Sequence, residues 1–374
     1  MDFNLNDQEK MLQRTVKEFA VKSLQPKAAE IDRNGEFPHE LVKEIGDRGY
    51  RGLHYPVEYG GSEAGYLSYA LALEQISQVS MTLGAIVAVN TAPEEAIFIF
   101  GNDEQKKRLL TPLAQGELLG GIAFTEAETG SDPRAITTIS IKSSGGYIVT
   151  GQKQFVALSP AANLYLLFTR REGEGLNAFI VETSSPGFTI LELYETIGLR
   201  GLGTSSIYLD DVFIPNRNLL GEEGKGFEIL LEIISLERLG VAVEAIAVAQ
   251  AALELSIDYA KQRKVSRKPI ANLPSIQWHL SEMVTRIEAG RLLAYRTAFL
   301  RNQGLSIRYE SSVAKLFASQ VAVDVTRMAM QVHGSYSTIK TMPLERLYRD
   351  AKMTEIYVGI SEIQRNIIAN HLII

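Results

Sequence analysis

Glu237 and Arg238 stand side by side in Ser235-Leu236-Glu237-Arg238-Leu239, at the head of a long apolar stretch. A carboxylate there is one half of a charged pair on a helix, or a base whose pKa rises because its surroundings are dry. The residues alone leave both readings open. Upstream, Ala123-Phe124-Thr125-Glu126-Ala127-Glu128-Thr129-Gly130-Ser131-Asp132 reads as a capped turn, and Gly201–Gly203 as another turn. The chain has no cysteine, which removes thiolate nucleophiles, disulfides and cysteine metal sites. None of its five histidines pairs with another at helical metal-ligand spacing, so no metal centre is expected.

Several kinds of element must position these groups. Asn6 or Asp7 can cap a helix whose inner face carries Leu12, Val16, Phe19 and Ala20. Pro38 fits the first turn of a second helix, with Leu41, Val42 and Ile45 inside and Gly46 near its end. Helical patterning continues over residues 67–79, 82–100 and 103–113. The apolar period then falls from about 3.6 to 2. Ile139 and Ile141 lead through Gly145-Gly146 to Tyr147, Ile148 and Val149, the pattern of a hairpin. Further short apolar runs at 164–169, 178–181, 188–190, 207–209 and 212–214 predict a compact β domain of six to eight strands. Beyond Gly226 no strand is expected. One helix is predicted over 227–263, apolar on most sides through Val241–Ala252 and therefore inside a bundle. Three more are predicted over 275–303, 306–333 and 344–371.

At 374 residues the chain exceeds what one core usually fills. The order helices, strands, helices divides it into residues 1–118, 119–225 and 226–374. A hydrophobic fraction of 45% and a charged fraction of 22% are those of a soluble globular protein. The net charge of −6 argues against nucleic acid as a partner, which needs a basic face. No membrane span is expected, because Glu244 and Gln250 interrupt the apolar stretch Val241–Ala252. The first seven residues lack the basic and apolar regions of a signal peptide, so a cytoplasmic location is expected.

Taken in order, these motifs resemble those of the acyl-CoA dehydrogenase family over essentially the whole chain. Residues 123–132 resemble its flavin-contacting turn. Ile197–Gly201 with Gly203-Thr204-Ser205, then Asp211–Pro215 with Asn218–Gly221 and Gly224–Phe227, and finally Leu347–Lys352 resemble successive family segments. Tyr357-Val358-Gly359-Ile360-Ser361-Glu362-Ile363-Gln364-Arg365 is similar to the segment that holds the catalytic glutamate in most members, with Val358 in the glutamate's place. Isovaleryl-CoA and long-chain types, and prolyl-carrier-protein dehydrogenases, keep the base on the long helix just before an arginine. Glu237 matches that position. The resemblance implies an α+β protein with an N-terminal helical domain, a middle β-barrel or sandwich domain and a C-terminal four-helix bundle. It implies FAD-dependent α,β-dehydrogenation of an acyl thioester, Glu237 removing the α proton while the β hydrogen leaves as hydride to flavin N5. The alternatives are a carrier-protein-bound acyl or aminoacyl substrate, and a redox-altered relative with weakened FAD binding.

By the same resemblance, Phe124, Thr125, Ser131, Phe155, Ala157, Arg263, Gln331, Gly334, Gly359, Ser361 and Gln364 contact FAD. Ser131, Arg238 and the backbone N–H of Val358 contact the substrate, the N–H polarising the thioester carbonyl. Some positions depart from the family pattern. Ala157 lacks a hydroxyl that approaches N5, and Val265, Ser266 and Arg267 replace Thr, Phe and Gly after Arg263. Pro274 replaces a flavin-binding glutamine, Ser335 a glycine and Ile360 a threonine. Arg267 can restore some phosphate contact, since a guanidinium clamps phosphate bidentately. The implied partners are an electron-transfer flavoprotein and further copies of the chain, as a homotetramer or homodimer.

Overall fold

The computed structural model describes residues 4–373. Of the two expected caps, Asn6 is the one used. Its side chain accepts from the Glu9 N–H, and the Glu9 carboxylate accepts from the Asn6 N–H, both at 2.8 Å, opening α1 (Asp7–Phe19). After α2 (Ala28–Asn34), Pro38 stands just ahead of the first turn of α3 (His39–Asp47) rather than inside it, with no side-chain cap, and α3 buries Val42, Ile45 and Gly46. Two helices then run through the interior: α4 (Gly65–Val79) and α5 (Met81–Phe100). By length and composition α5 would pass for a membrane span, but it lies mostly buried inside the protein. Pro93 within α5 removes one i−4 hydrogen bond. A π turn at Lys106–Leu110 joins α6 (Asp103–Gln105) to α7 (Thr111–Ala114).

The middle of the chain forms one seven-stranded sheet: β1 (Gly120–Ala123), β2 (Ile139–Ser143), β3 (Gly146–Val156), β4 (Leu164–Arg171), β5 (Leu176–Glu182), β6 (Phe188–Leu193) and β7 (Ser205–Pro215). The order is β1-β4-β2-β3-β7-β6, with β5 antiparallel to β4. The hairpin expected at Gly145-Gly146 joins β2 to β3, Ser143 facing Gly146. Two expectations need correcting. The runs at 207–209 and 212–214 are a single strand, bent at Asp211 (φ 49°) where its register with β3 shifts by a bulge. β1 was not foreseen, since four residues, two of them glycine, carry almost no period.

Next comes α8 (Gly226–Gln262), buried along most of its length and packed against α4, α5 and the helices that follow. Strands do recur beyond Gly226, contrary to expectation. β8 (Lys264–Val265) pairs with β9 (Lys268–Pro269), with Ser266 and Arg267 turning at φ 50° and 67°, the sign a two-residue hairpin turn requires. Pro274 opens α9 (Pro274–Asn302), and α10 (Arg308–His333) lies along α8. The last predicted helix is in fact two, α11 (Pro343–Thr354) and α12 (Ser361–Ile373). Between them Val358 and Gly359 adopt φ of 56° and 93°, which no right-handed helix accommodates.

Candidate active site

Glu237 lies where α8 passes α4 and α5, and only 5% of it is exposed. Thr91 Oγ of α5 donates to its carboxylate at 3.2 Å and to the Ala88 carbonyl at 2.6 Å. One hydroxyl carries one proton, so the shorter contact competes and Glu237 is poorly solvated by the protein. Burial accordingly pushes its pKa up to about 8. The Thr91 bond opposes that shift, and the neighbouring charges of Glu244 and Glu94 add to it. A carboxyl with that pKa is matched to proton abstraction near neutral pH. Glu237 is therefore no surface charge pair.

Beyond Glu237 the same face of α8 carries Glu244, wholly buried, which accepts a hydrogen bond from the Tyr357 hydroxyl. Tyr357 thereby ties the loop between α11 and α12 to α8. Its hydroxyl lies within the fields of Glu244, Glu237 and Tyr69. Val358, next in the chain, packs against apolar residues that include the first turns of α8. A β-branched residue at positive φ is a true outlier, with a strain on the order of 1–3 kcal/mol. The surroundings hold it there: Lys315 Nζ donates to the Gly359 carbonyl at 2.6 Å, and Gln364 Nε2 donates to the same oxygen at 2.9 Å. Such a conformation fixes the direction of the Val358 N–H, whatever its side chain does.

Arg238 points to the other side of α8. Its guanidinium reaches the Ser312 hydroxyl at 3.5 Å, and its Nε has no partner. Among the described residues no carboxylate pairs with it, so the ion-pair reading of Glu237-Arg238 fails for both residues. Another cation, Lys315, lies within range of its charge. Burial lowers the Arg238 pKa to about 10; burial and the Arg238 charge lower Lys315 to about 7.

The residues expected at the cofactor fall into two groups. One is buried: Ser361 Oγ and Gln364 Oε1 lie inside with no hydrogen-bond partner, beside Gly359. The other lines the surface. Phe124 and Thr125 follow β1, and the Thr125 carbonyl accepts from the Gln154 N–H at 2.8 Å. The turn below them rests on Glu126. Burial would raise its pKa, but Lys153 Nζ at 2.7 Å and donors from Thr137 and Thr138 pull it down to about 2. Ser131 is exposed on that turn. Phe155, at φ 53°, is 65% exposed, its ring 5.1 Å from that of Tyr194. Ala157 is half-buried, its carbonyl taken by the Tyr165 hydroxyl at 3.0 Å. Arg263 closes α8 and is exposed, as are Gln331 and Gly334 at the end of α10.

Thr91, Tyr69, Glu94, Glu244 and Lys315 escaped the sequence reading as site residues. A signal for Glu244 was present: it interrupts the apolar face of α8 seven residues after Glu237. Nothing local marks the other four.

Helices around a sheet, with a buried carboxyl on the central helix beside a strained loop, define the acyl-thioester oxidoreductase class. Family models agree. Acyl-CoA dehydrogenase N-terminal, middle and C-terminal domains match residues 6–117, 121–212 and 224–373. An acyl-CoA dehydrogenase of Bacillus subtilis (strain 168) is 40% identical over 375 residues, covering 99% of each chain. Butyryl-CoA dehydrogenase from Megasphaera elsdenii superposes with a TM-score of 0.98 at 34% identity over 100% of both chains. The prolyl acyl carrier protein oxidase AnaB does so with a TM-score of 0.96 at 29% identity over 99% of this chain and 100% of its own. The chain belongs to the acyl-CoA dehydrogenase family.

Proposed function

We propose that the protein is an FAD-dependent dehydrogenase of acyl thioesters in which Glu237 removes the α proton. The observation that carries this is the placement of Glu237: a buried carboxyl with no cation beside it, held near pKa 8, on the helix face that Tyr357 reaches from the Val358 loop. The N–H of Val358 would donate to the thioester carbonyl, and Lys315 and Gln364 would keep that donor aimed through their grip on Gly359. Arg238, on the opposite side of α8, has an unfilled donor for a polar part of the substrate.

FAD fits the remaining residues. The open ring of Phe155, the Thr125 turn and the unpartnered buried oxygens of Ser361 and Gln364 offer an aromatic face, a backbone edge and polar partners. Arg263, Gln331 and Gly334 would serve the more exposed end, with Ala157 beside the ring. Bound there, the flavin would supply the acceptor for the β hydrogen. Replacement of Glu237 by Gln tests the assignment. Turnover should fall by roughly 10²- to 10⁴-fold while the protein stays yellow, the usual loss on removing a general base. Bleaching of the flavin by acyl thioesters that survives Glu237→Gln sinks it, and a colourless protein that refuses FAD favours the redox-altered reading.

Two observations favour a carrier-bound substrate as the second reading: the bare Phe155 ring and the likeness to the prolyl-carrier oxidase. A gain in kcat/KM on loading the acyl group onto a carrier protein would support it; equal turnover of coenzyme A esters would remove it. An assembly of several copies, as a homotetramer, is part of the same proposal. It is supported by Trp278, Leu292 and Phe299, spaced at multiples of seven along α9 and 73%, 53% and 45% exposed. An electron-transfer flavoprotein as acceptor and a cytoplasmic location complete it, the latter in keeping with a chain free of cysteine.

A further inference from the structure

With Glu237 as the base, each α proton it takes must leave again before the next turnover, and its carboxyl lies in a dry interior. The groups beside it run in one direction. Thr91 of α5 faces Glu237, and Ala88 faces Gly240, where a Cβ would stand 3.3 Å from the Ala88 methyl, so α5 is antiparallel to α8. One turn beyond Thr91, Glu95 shares Arg301 with Glu232, which lies earlier on α8. Arg301 meets Glu95 at 2.7 Å and Glu232 at 2.6 Å. The order on α4 is the same. The Tyr69 hydroxyl would stand 3.4 Å from a Cβ at Gly240, near Glu237, while the Tyr66 hydroxyl donates to Glu95 at 2.7 Å, near Arg301.

His54 fills the interval. Its side chain is fully buried, with its ring 5.1 Å from that of Tyr69 and 4.7 Å from that of Tyr66. Its Nε2 lies 3.8 Å from Glu95 Oε2, and neither of its ring nitrogens has a hydrogen-bond partner. The Tyr69 hydroxyl and Glu95 Oε2 also lack one. Orphaned polar atoms are rare in a folded interior, and here they collect around one imidazole. Burial and the Arg301 charge lower the His54 pKa to about 3, so the ring is neutral, with one nitrogen that accepts and one that donates. Solvent is reached at the far end: the Glu232 side chain is 18% exposed, and that of Arg308, 3.7 Å from it, is 48% exposed.

We infer that Tyr69 and His54 form a proton exit, bridged by water, from Glu237 to the Glu95–Arg301–Glu232 network at the surface. The O–H bond of Glu237 breaks, and its proton passes through water to the Tyr69 oxygen as that hydroxyl gives up its own toward His54. The imidazole takes this proton on its free nitrogen and releases another from Nε2 toward Glu95 Oε2, a separation that one water spans. From there the proton leaves to solvent beside Glu232, and Glu237 is a carboxylate again. Nothing is oxidised or reduced along the way, and rotation of the hydroxyl and the ring resets the path. This inference rests on the reading of Glu237 as the base and adds the route by which that base is restored.

The test uses flavin-loaded full-length protein in D2O, without an electron acceptor, and a butanoyl, isovaleryl or octanoyl coenzyme A ester, whichever bleaches the flavin. Stopped-flow absorbance reads the bleaching, and mass spectrometry reads deuterium entering the α carbon of the remaining ester. Deuterium enters there when Glu237 exchanges its proton with solvent while the ester is bound. His54→Phe should lower α-deuteration by roughly tenfold or more while bleaching changes by less than about threefold, because the base can take its first proton without the exit. His54→Gln, polar but with no nitrogen that takes up a proton, should match it and decides the matter where His54→Phe does not fold. Tyr69→Phe should lower deuteration several-fold. Melting temperature and flavin absorbance show which variants are folded. Unchanged deuteration in the folded His54 variants, or bleaching that falls in parallel with it as a merely structural loss would cause, overturns the inference. So does a wild type that bleaches but takes up no deuterium. Absence of bleaching with all three esters, or bleaching that survives Glu237→Gln, strikes the base reading itself, and the exit falls with it.

Discussion

Glu237 and Arg238 are neighbours on α8, yet they open onto two regions of opposite character. On one side lie the carboxyls of Glu237, Glu244 and Glu94, with Tyr69 and Thr91, and none of the carboxyls is ion-paired. On the other lie Arg238 and Lys315, two cations that form no ion pair among the described residues, although Glu355 and Glu362 act on Lys315 from a distance. Consecutive helical residues do not face each other, so these charges cannot neutralise one another across one backbone step. The helix keeps like charges together on each side, and both sides are dry. An unpaired buried charge is costly, so burial raises the acids and lowers the cations, each toward its neutral form. The acid side suits proton removal, and on the cation side Lys315 holds the Gly359 carbonyl.

Breaking the acid side at Glu237→Gln has the largest expected effect, the two to four orders of magnitude given above. The cation side should be softer. Lys315→Met leaves Gly359 with Gln364 as its one side-chain donor and loosens the Val358 N–H. The expected result is a fall in kcat of roughly tenfold with a smaller change in KM, below the 10²-fold or greater loss of a direct oxyanion donor. An unchanged kcat would separate Lys315 from the loop's work.

The two sides also differ in how they respond to pH. Glu237, Glu244 and Glu94 are each raised to about 8 from an ordinary value near 4.5. The folded state therefore holds their protons more tightly than the unfolded chain. That contribution to stability is full below pH 4.5 and is lost as pH climbs through 8. Lys315, lowered to about 7, works oppositely from pH 7 to 10.5, where the unfolded chain binds the extra proton and stability rises with pH. Thermal melts between pH 5 and 8 should show declining Tm, and Glu244→Gln should flatten the slope. A melting curve insensitive to that substitution would mean Glu244 does not share the acid side. The smallest effect expected is that of Thr91→Val. Loss of one donor to Glu237 should move the rising limb of kcat/KM upward by roughly 0.5–1 pH unit, so activity at neutral pH falls a few-fold.

The helix–sheet–helix order was legible because period 3.6 and period 2 change places at clear points along the chain. Glu237 was legible through the resemblance, which puts a base just before Arg238 on the long helix; the residues alone left it as one half of a charged pair. The acid side as a whole was not, since Tyr69, Thr91 and Glu94 come from α4 and α5, more than a hundred residues away in sequence, and each looks ordinary there. Lys315 was hidden in the same way on α10. The split of the last helix was missed for a different reason: Val358 has no local signature of positive φ, and the Lys315 and Gln364 bonds that impose it come from elsewhere.

The bend at 355–360 has a consequence for substitution at Val358. Its shape is held by two grips on one neighbouring carbonyl, which keep even a β-branched side chain at a positive φ. Exchanging Val358 for an unbranched residue would relax the strain there while leaving both grips, and the peptide plane they hold, in place.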